Sequence, residues 1–183
     1  MTTHRTLVLG GARSGKSAYA EDLLPADSPV TYVATARRDP TDREWEARIA
    51  AHVARRPPAW QTVEPADLPA LIGDARPGQL LLVDDLATWL TGVLDDASAW
   101  DGDHRTLADA GRRTNELVAA VDGCAARLVL VSAEVGLGVV PETRSGRLFR
   151  DELGDCNARL AQVCDEVLLL VAGIPVQLNS PRR

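Results

Sequence analysis

An α/β fold is predicted, with a mostly parallel sheet, helices on both of its faces and a C-terminal hairpin. Three observations predict it. Four short apolar runs lack polar alternation, the pattern of strands covered on both faces. Stretches of helical character separate those runs, as in successive βαβ units. The stretch GGARSGKS, Gly10 to Ser17, stands directly after the first run and before a helical pattern, which is where a phosphate-holding loop belongs.

The elements follow in order. Thr6-Gly10, Val30-Ala34, Leu80-Asp84 and Leu128-Ser132 read as the buried strands. A helix is expected to start at Ser17. A second is expected from about Asp42, where Thr41-x-x-Glu44 fits a capping box, and to stop before Arg55-Arg56-Pro57-Pro58. Others cover Leu86 to Leu94, Arg105 to Val121 and Pro141 to Cys164. Residues 95–104, DDASAWDGDH, read as a polar, mobile surface loop. Glu166-Val171, the tight Ala172-Gly173-Ile174-Pro175 and Val176-Leu178 read as a closing hairpin.

The 183 residues, 45% of them apolar, fit one domain over 1–183. The net charge is −6, and no long block of like charge indicates a nucleic-acid arm or a membrane-surface helix. No apolar run reaches the roughly 18 residues of a membrane span. The chain enters a strand by about residue 6, so no signal peptide is expected. Cys124, Cys156 and Cys164 have no metal-type spacing, and inert thiols in a reducing cytoplasm are expected.

Gly10-x-x-x-x-Gly15-Lys16-Ser17 matches the P-loop. Its glycines allow successive N–H groups to turn inward around phosphate oxygens, and the following helix adds its positive dipole end. Lys16 would reach the β- and γ-phosphates, and the Ser17 hydroxyl would ligate Mg²⁺. A P-loop requires an acid at the tip of another strand. LLLVDD offers Asp84 and Asp85. Alternation lets only one face the loop; Asp84 is favoured, and Asp85 suits a helix N-cap. Glu134 follows the strand Leu128-Ser132 and reads either as an orienter of a nucleophile or metal water, or as a loop carboxylate. Arg144, Arg147 and Arg150 read as an exposed basic face or as binders of substrate phosphate.

Of the three histidines, His4 is terminal and His104 lies in the polar stretch. His52 falls on the border of an apolar arc, one turn from Arg48 and Arg55. Flanking cations disfavour the imidazolium and keep the ring a nucleophile. Periodicity alone also fits an ordinary half-buried helical histidine.

Taken together, LVLGGARSGKSAYAE, TYVATA, ARIAAHVARRP, WQTVE, LLLVDDLATWLT, EVGLGVVPE and RLFRDELGDCNARLA resemble one family over almost the whole chain. It is the bifunctional adenosylcobinamide kinase / adenosylcobinamide-phosphate guanylyltransferase family of cobalamin assembly. The resemblance implies a RecA-like P-loop NTPase fold, often assembled as a homotrimer, and two reactions. ATP or GTP phosphorylates the aminopropanol hydroxyl of adenosylcobinamide. GTP then donates GMP to a histidine, and adenosylcobinamide phosphate takes it to give adenosylcobinamide-GDP.

The resemblance places the guanylylated histidine at His52 and reverses the reading from periodicity. It places nucleotide contacts at Gly10, Gly11, Ala12, Arg13, Ser14, Gly15, Lys16 and Ser17, at Ala34, Thr35 and Ala36, at Val53, Ala54, Arg55 and Arg56, and at Glu64 and Asp84. The corrinoid is a substrate and not a cofactor. Asp85, Ala87 and Ala133 depart from common family residues, as does Ala51 where some members carry a second histidine, and Ala133 weakens any role for a side-chain amide there. Two competing readings share the loop: a P-loop kinase without a covalent step, and a nucleotide-switched binding protein.

Overall fold

The computed structural model describes residues 3–37 and 56–179. The described elements are, in chain order, β1 (Arg5–Gly10), α1 (Lys16–Asp22), β2 (Val30–Ala34), β3 (Trp60–Val63), α2 (Leu68–Gly73), β4 (Leu80–Asp84), α3 (Leu86–Asp96), a 3₁₀ turn (Ala99–Asp101), α4 (His104–Gly123), β5 (Arg127–Ala133), α5 (Arg144–Val163), β6 (Glu166–Val171) and β7 (Ile174–Gln177). The sheet order is β3-β2-β4-β5-β1-β6-β7. Every pairing is parallel except that of β7 with β6.

The central strands are covered on both faces. Leu7, Leu9, Leu81, Val83, Leu128 and Leu130 join Leu117 and Val121 of α4 and Cys156 and Leu160 of α5 in one cluster. The alternate residues Val8, Tyr32, Leu80, Leu82, Val129 and Val131 join Ala20 of α1 and Leu24 in another. Side chains alternate in direction along a strand, so a strand buried on both faces has no polar position to reveal its period. The buried residues of α4, namely Ala110, Thr114, Leu117 and Val121, recur at one-turn spacing and form its inward stripe. Asp85, Asp103 and Thr143 cap α3, α4 and α5 by accepting from the N–H groups of Ala87, Arg105 and Gly146 at 3.0, 2.9 and 3.1 Å.

The register sets the site. Gly10 stands opposite Ala133, and Ala34 opposite Asp84, so the C-terminal ends of β1, β2, β4 and β5 share one edge of the sheet. At the far edge the hairpin turns on Ala172 and Gly173 at φ 53° and 80°. The turn is two residues long, and Ile174 and Pro175 already belong to β7, where the sequence reading had a four-residue turn.

Two further differences from expectation appear. β3 and α2 are additional elements; β3 has four residues and exposes Gln61 and Thr62 at the sheet edge, which hides its strand pattern. Residues 95–104 are not a loop throughout. Helix α3 runs to Asp96, Ala99 is fully buried, and the Trp100 ring packs 6.4 Å from that of Phe149. The Trp100 indole N–H donates to Asp95 at 2.6 Å, and α4 has begun by His104. Ala99 and Trp100 are the apolar anchors in an otherwise polar string. The helix expected over Asp42–Ala54 lies outside the described residues.

All three cysteines are buried and unbridged. Burial pushes the Cys156 thiol up to about 12, which keeps it protonated and unreactive.

Arg5 and Asp165 tie β1 to the start of β6. The Asp165 carboxylate accepts from the Arg5 backbone N–H at 2.8 Å and from its guanidinium at 3.2 Å. Burial alone would raise this acid, but the Arg5 contacts outweigh it and hold it below the usual carboxylate range. A depressed acid contributes stability above its unfolded value, about 3.9, and loses that contribution as pH falls through the lower folded value. Asp165→Asn is therefore expected to unfold more readily at neutral pH and to show a shallower loss of stability on acidification below about pH 4. Urea unfolding across that range checks it.

Candidate active site

The segment after β1 turns sharply because its residues allow it. Gly15 caps α1 at φ 87°, a left-handed conformation that a β-carbon would strain. At Gly10 an added β-carbon would fall 2.3 Å from Ser14 Oγ. Arg13 also adopts positive φ, at 57°. Gly11, Ala12, Arg13 and Gly15 are exposed, while Ser14 is buried. Two neighbours brace the turn: Gly173 N–H donates to the Ser14 carbonyl, and Glu134 N–H to that of Gly10, both at 3.0 Å. The hairpin thus supports the loop from the side. Ser14 Oγ is buried with no hydrogen-bond partner among the described residues.

Lys16 and Ser17 open α1. Ser17 Oγ donates to Asp84 Oδ1 at 3.1 Å, and Tyr32 Oη donates to Asp84 Oδ2 at 2.5 Å. Asp84 is thus the acid of the pair that faces the loop. Asp85 instead caps α3, accepting from Ala87 N–H at 3.0 Å. Burial raises the Asp85 carboxyl; the Ala87 N–H lowers it, and the neighbouring Asp84 charge raises it further. Burial and the Asp84 carboxylate also push the Tyr32 phenol up, so it remains protonated and a donor.

Ser17 and Asp84 present hard oxygen atoms on one side of the loop. That donor set suits Mg²⁺, which takes one or two protein ligands and completes its shell with phosphate and water. Among the described residues no group of three His, Cys, Asp or Glu side chains is arranged to hold a metal by itself. A nucleotide-borne cation fits this site better than a resident one.

The other expected contacts lie on the same sheet edge. Ala34, Thr35, Ala36 and Glu64 help line a cavity of about 720 Å³, walled on its far side by Trp89 and Arg112. The Thr35 hydroxyl is engaged within the protein: it donates to the Asp85 carbonyl at 2.6 Å and accepts from Asp85 N–H at 3.0 Å. Arg56 lies over the Tyr32 ring, 3.5 Å from its centroid, and donates to Thr62 Oγ1 at 2.7 Å. His52, Val53, Ala54 and Arg55 lie outside the described residues.

Glu134 is engaged by Gly136 N–H at 2.6 Å, the contact of a loop carboxylate. Arg147 donates to the Pro141 and Glu142 carbonyls, and Arg150 to that of Gly136. These arginines hold the segment after β5 and are not simply a solvated helix face. Sequence reasoning missed Tyr32. Its available signal was a tyrosine inside a buried strand, since a buried phenol hydroxyl needs a partner.

Comparison with known proteins adds the following. Residues 6–178 match the family described as cobinamide kinase / cobinamide phosphate guanyltransferase. The bifunctional adenosylcobalamin biosynthesis protein CobU of Escherichia coli (strain K12) is 41% identical over 182 residues, covering 94% of this chain and 98% of the relative. The bifunctional adenosylcobalamin biosynthesis protein CobP of Pseudomonas aeruginosa is 42% identical over 181 residues, covering 96% and 98%. Among solved structures, an ATPase from the type III secretion system of pathogenic bacteria matches with a TM-score of 0.51 at 12% identity. The match covers 92% of this chain and 51% of that ATPase, and it is a likeness of fold.

Proposed function

Because the chain belongs to the cobinamide kinase / cobinamide phosphate guanyltransferase family and is an enzyme of it, we propose that its single domain carries out two successive transfers onto a corrinoid. The observation that carries this reading is the contact of Ser17 Oγ with Asp84 Oδ1 at 3.1 Å, beside Lys16 at the mouth of the loop.

In the first transfer the aminopropanol hydroxyl of adenosylcobinamide attacks the γ-phosphorus of ATP or GTP. The phosphoryl group joins the substrate and the nucleoside diphosphate leaves. The loop N–H groups and Lys16 hold the triphosphate in place, and placement with charge neutralisation is most of what this chemistry asks of a protein. Ser17 and Asp84 would hold Mg²⁺, which when bound supplies positive charge to the phosphate oxygens.

In the second transfer the His52 imidazole attacks the α-phosphorus of GTP. A P–N bond forms and pyrophosphate leaves. The phosphate of adenosylcobinamide phosphate then attacks that phosphorus, restores the imidazole and departs as adenosylcobinamide-GDP. Imidazole suits both roles, because it is a nucleophile near neutral pH and a good leaving group from phosphorus. Attack requires an approach of about 3–3.5 Å between the imidazole and the α-phosphorus. Ala34, Thr35, Ala36, Val53, Ala54, Arg55, Arg56 and Glu64 contact the nucleotide. A homotrimer is part of the proposal, and a solution mass of three chains is its check.

The test is incubation with adenosylcobinamide, ATP and GTP, with products separated over time. Adenosylcobinamide phosphate is expected first, then adenosylcobinamide-GDP with an equivalent of pyrophosphate. Phosphorylation that stops at the monophosphate indicates a kinase alone, and nucleotide hydrolysis without transfer indicates a switch protein.

A further inference from the structure

We infer that Tyr32 is a positioning residue for the metal-side acid: its hydroxyl fixes the Asp84 carboxylate while its ring seats Arg56. The inference rests on the proposed reading of Asp84 as the acid of the metal shell.

Sheet register makes the first contact possible. Tyr32 on β2 pairs with Leu82 on β4, so Asp84 is its diagonal neighbour two residues along the same face. Diagonal pairs lie about 7–8 Å apart, within reach of an aromatic side chain and beyond that of a short one. Tyr32 is 1% exposed, and a hydroxyl buried so deeply costs free energy unless it is bonded. Its partner is the second oxygen of a carboxylate whose first oxygen accepts from Ser17. Held at both oxygens by donors on two different elements, the carboxylate is fixed in plane.

The ring does a second task. The Arg56 guanidinium lies 3.5 Å from the ring centroid and is tied by Nη1 to Thr62 on the neighbouring strand β3. The ring of Trp60, also on β3, packs 6.3 Å from that of Tyr32. Arg56 directly follows the segment that carries His52 in sequence. One side chain therefore joins the acid beside the P-loop to the end of the segment that bears the nucleophile. A phenylalanine would fill the same space and seat the same guanidinium, so the hydroxyl is the part that acts on Asp84.

The experiment uses the full chain and a fluorescent GTP analogue, titrated with Mg²⁺ and, separately, in its absence. In Tyr32→Phe the Mg²⁺ needed for half-maximal binding is expected to rise by about tenfold, the lower end for loss of a group that orients a metal ligand. Binding without metal is expected to change by less than about twofold, and Asp84→Asn to raise the Mg²⁺ requirement at least as much. Added to Asp84→Asn, Tyr32→Phe is then expected to contribute less than about twofold more, because the two act through one carboxylate. An unshifted Mg²⁺ curve for Tyr32→Phe beside a shifted one for Asp84→Asn overturns the role of Tyr32 and leaves the proposed function standing. Unshifted curves for both overturn the reading of Asp84 and this inference with it. Equal weakening with and without metal also overturns the inference, since it marks general damage.

Discussion

Replacement of His52 by alanine is expected to leave adenosylcobinamide phosphate accumulating while adenosylcobinamide-GDP formation falls by about 10⁴-fold or more, as loss of a covalent nucleophile does elsewhere. The asymmetry follows from the chemistry. γ-Phosphoryl transfer passes directly from nucleotide to substrate hydroxyl, and the P-loop and its charges carry it. α-Transfer through the protein needs a side chain that bonds to phosphorus, and alanine cannot. The flanking Arg48 and Arg55 would still attract GTP, so nucleotide binding is expected to persist. Product chromatography with both substrates present reads the two activities together. Equal loss of both, with the fold intact, would mean that His52 serves the kinase step or the architecture instead.

Lys16→Ala is expected to behave differently and to depress both transfers by about 10²–10³-fold, the usual cost of deleting one aimed cationic or hydrogen-bonding group. Lys16 stands at the first position of α1, directly after the left-handed Gly15, so its location is set by the turn itself. The triphosphate of either reaction must lie in that turn. Lys16→Arg is expected to rescue poorly, because a planar fork cannot occupy the place of a compact ammonium. Thermal unfolding should hardly move, since Lys16 is only half-buried at the loop mouth. The pair of substitutions is diagnostic: one removes a single product, the other slows both.

What the sequence made legible was whatever depended on spacing. The loop from Gly10 to Ser17 is recognisable because its glycines stand where backbone geometry demands them. Strand alternation allowed only one of Asp84 and Asp85 to face the loop, and position after the apolar run favoured Asp84; in the structure Ser17 donates to Asp84 and Asp85 caps α3. The four central strands were legible because burial on both faces leaves unbroken apolar runs. β3 was not, because an edge strand of four residues with Gln61 and Thr62 exposed looks like loop. Residues 95–104 are polar in composition and look like loop, yet buried Ala99 and the Trp100 ring against Phe149 anchor them. The tasks of Tyr32, Arg147 and Arg150 were hidden for another reason. Each depends on a partner brought near by the fold, and no local pattern records that.

The most direct measurement is incubation of the protein with GTP labelled at the α-phosphate, followed by denaturation and peptide mapping. The account predicts one acid-labile, alkali-stable label per chain, located on His52 and discharged by adenosylcobinamide phosphate. Formation of adenosylcobinamide-GDP with no label on the protein, or with the label on another residue, would contradict it.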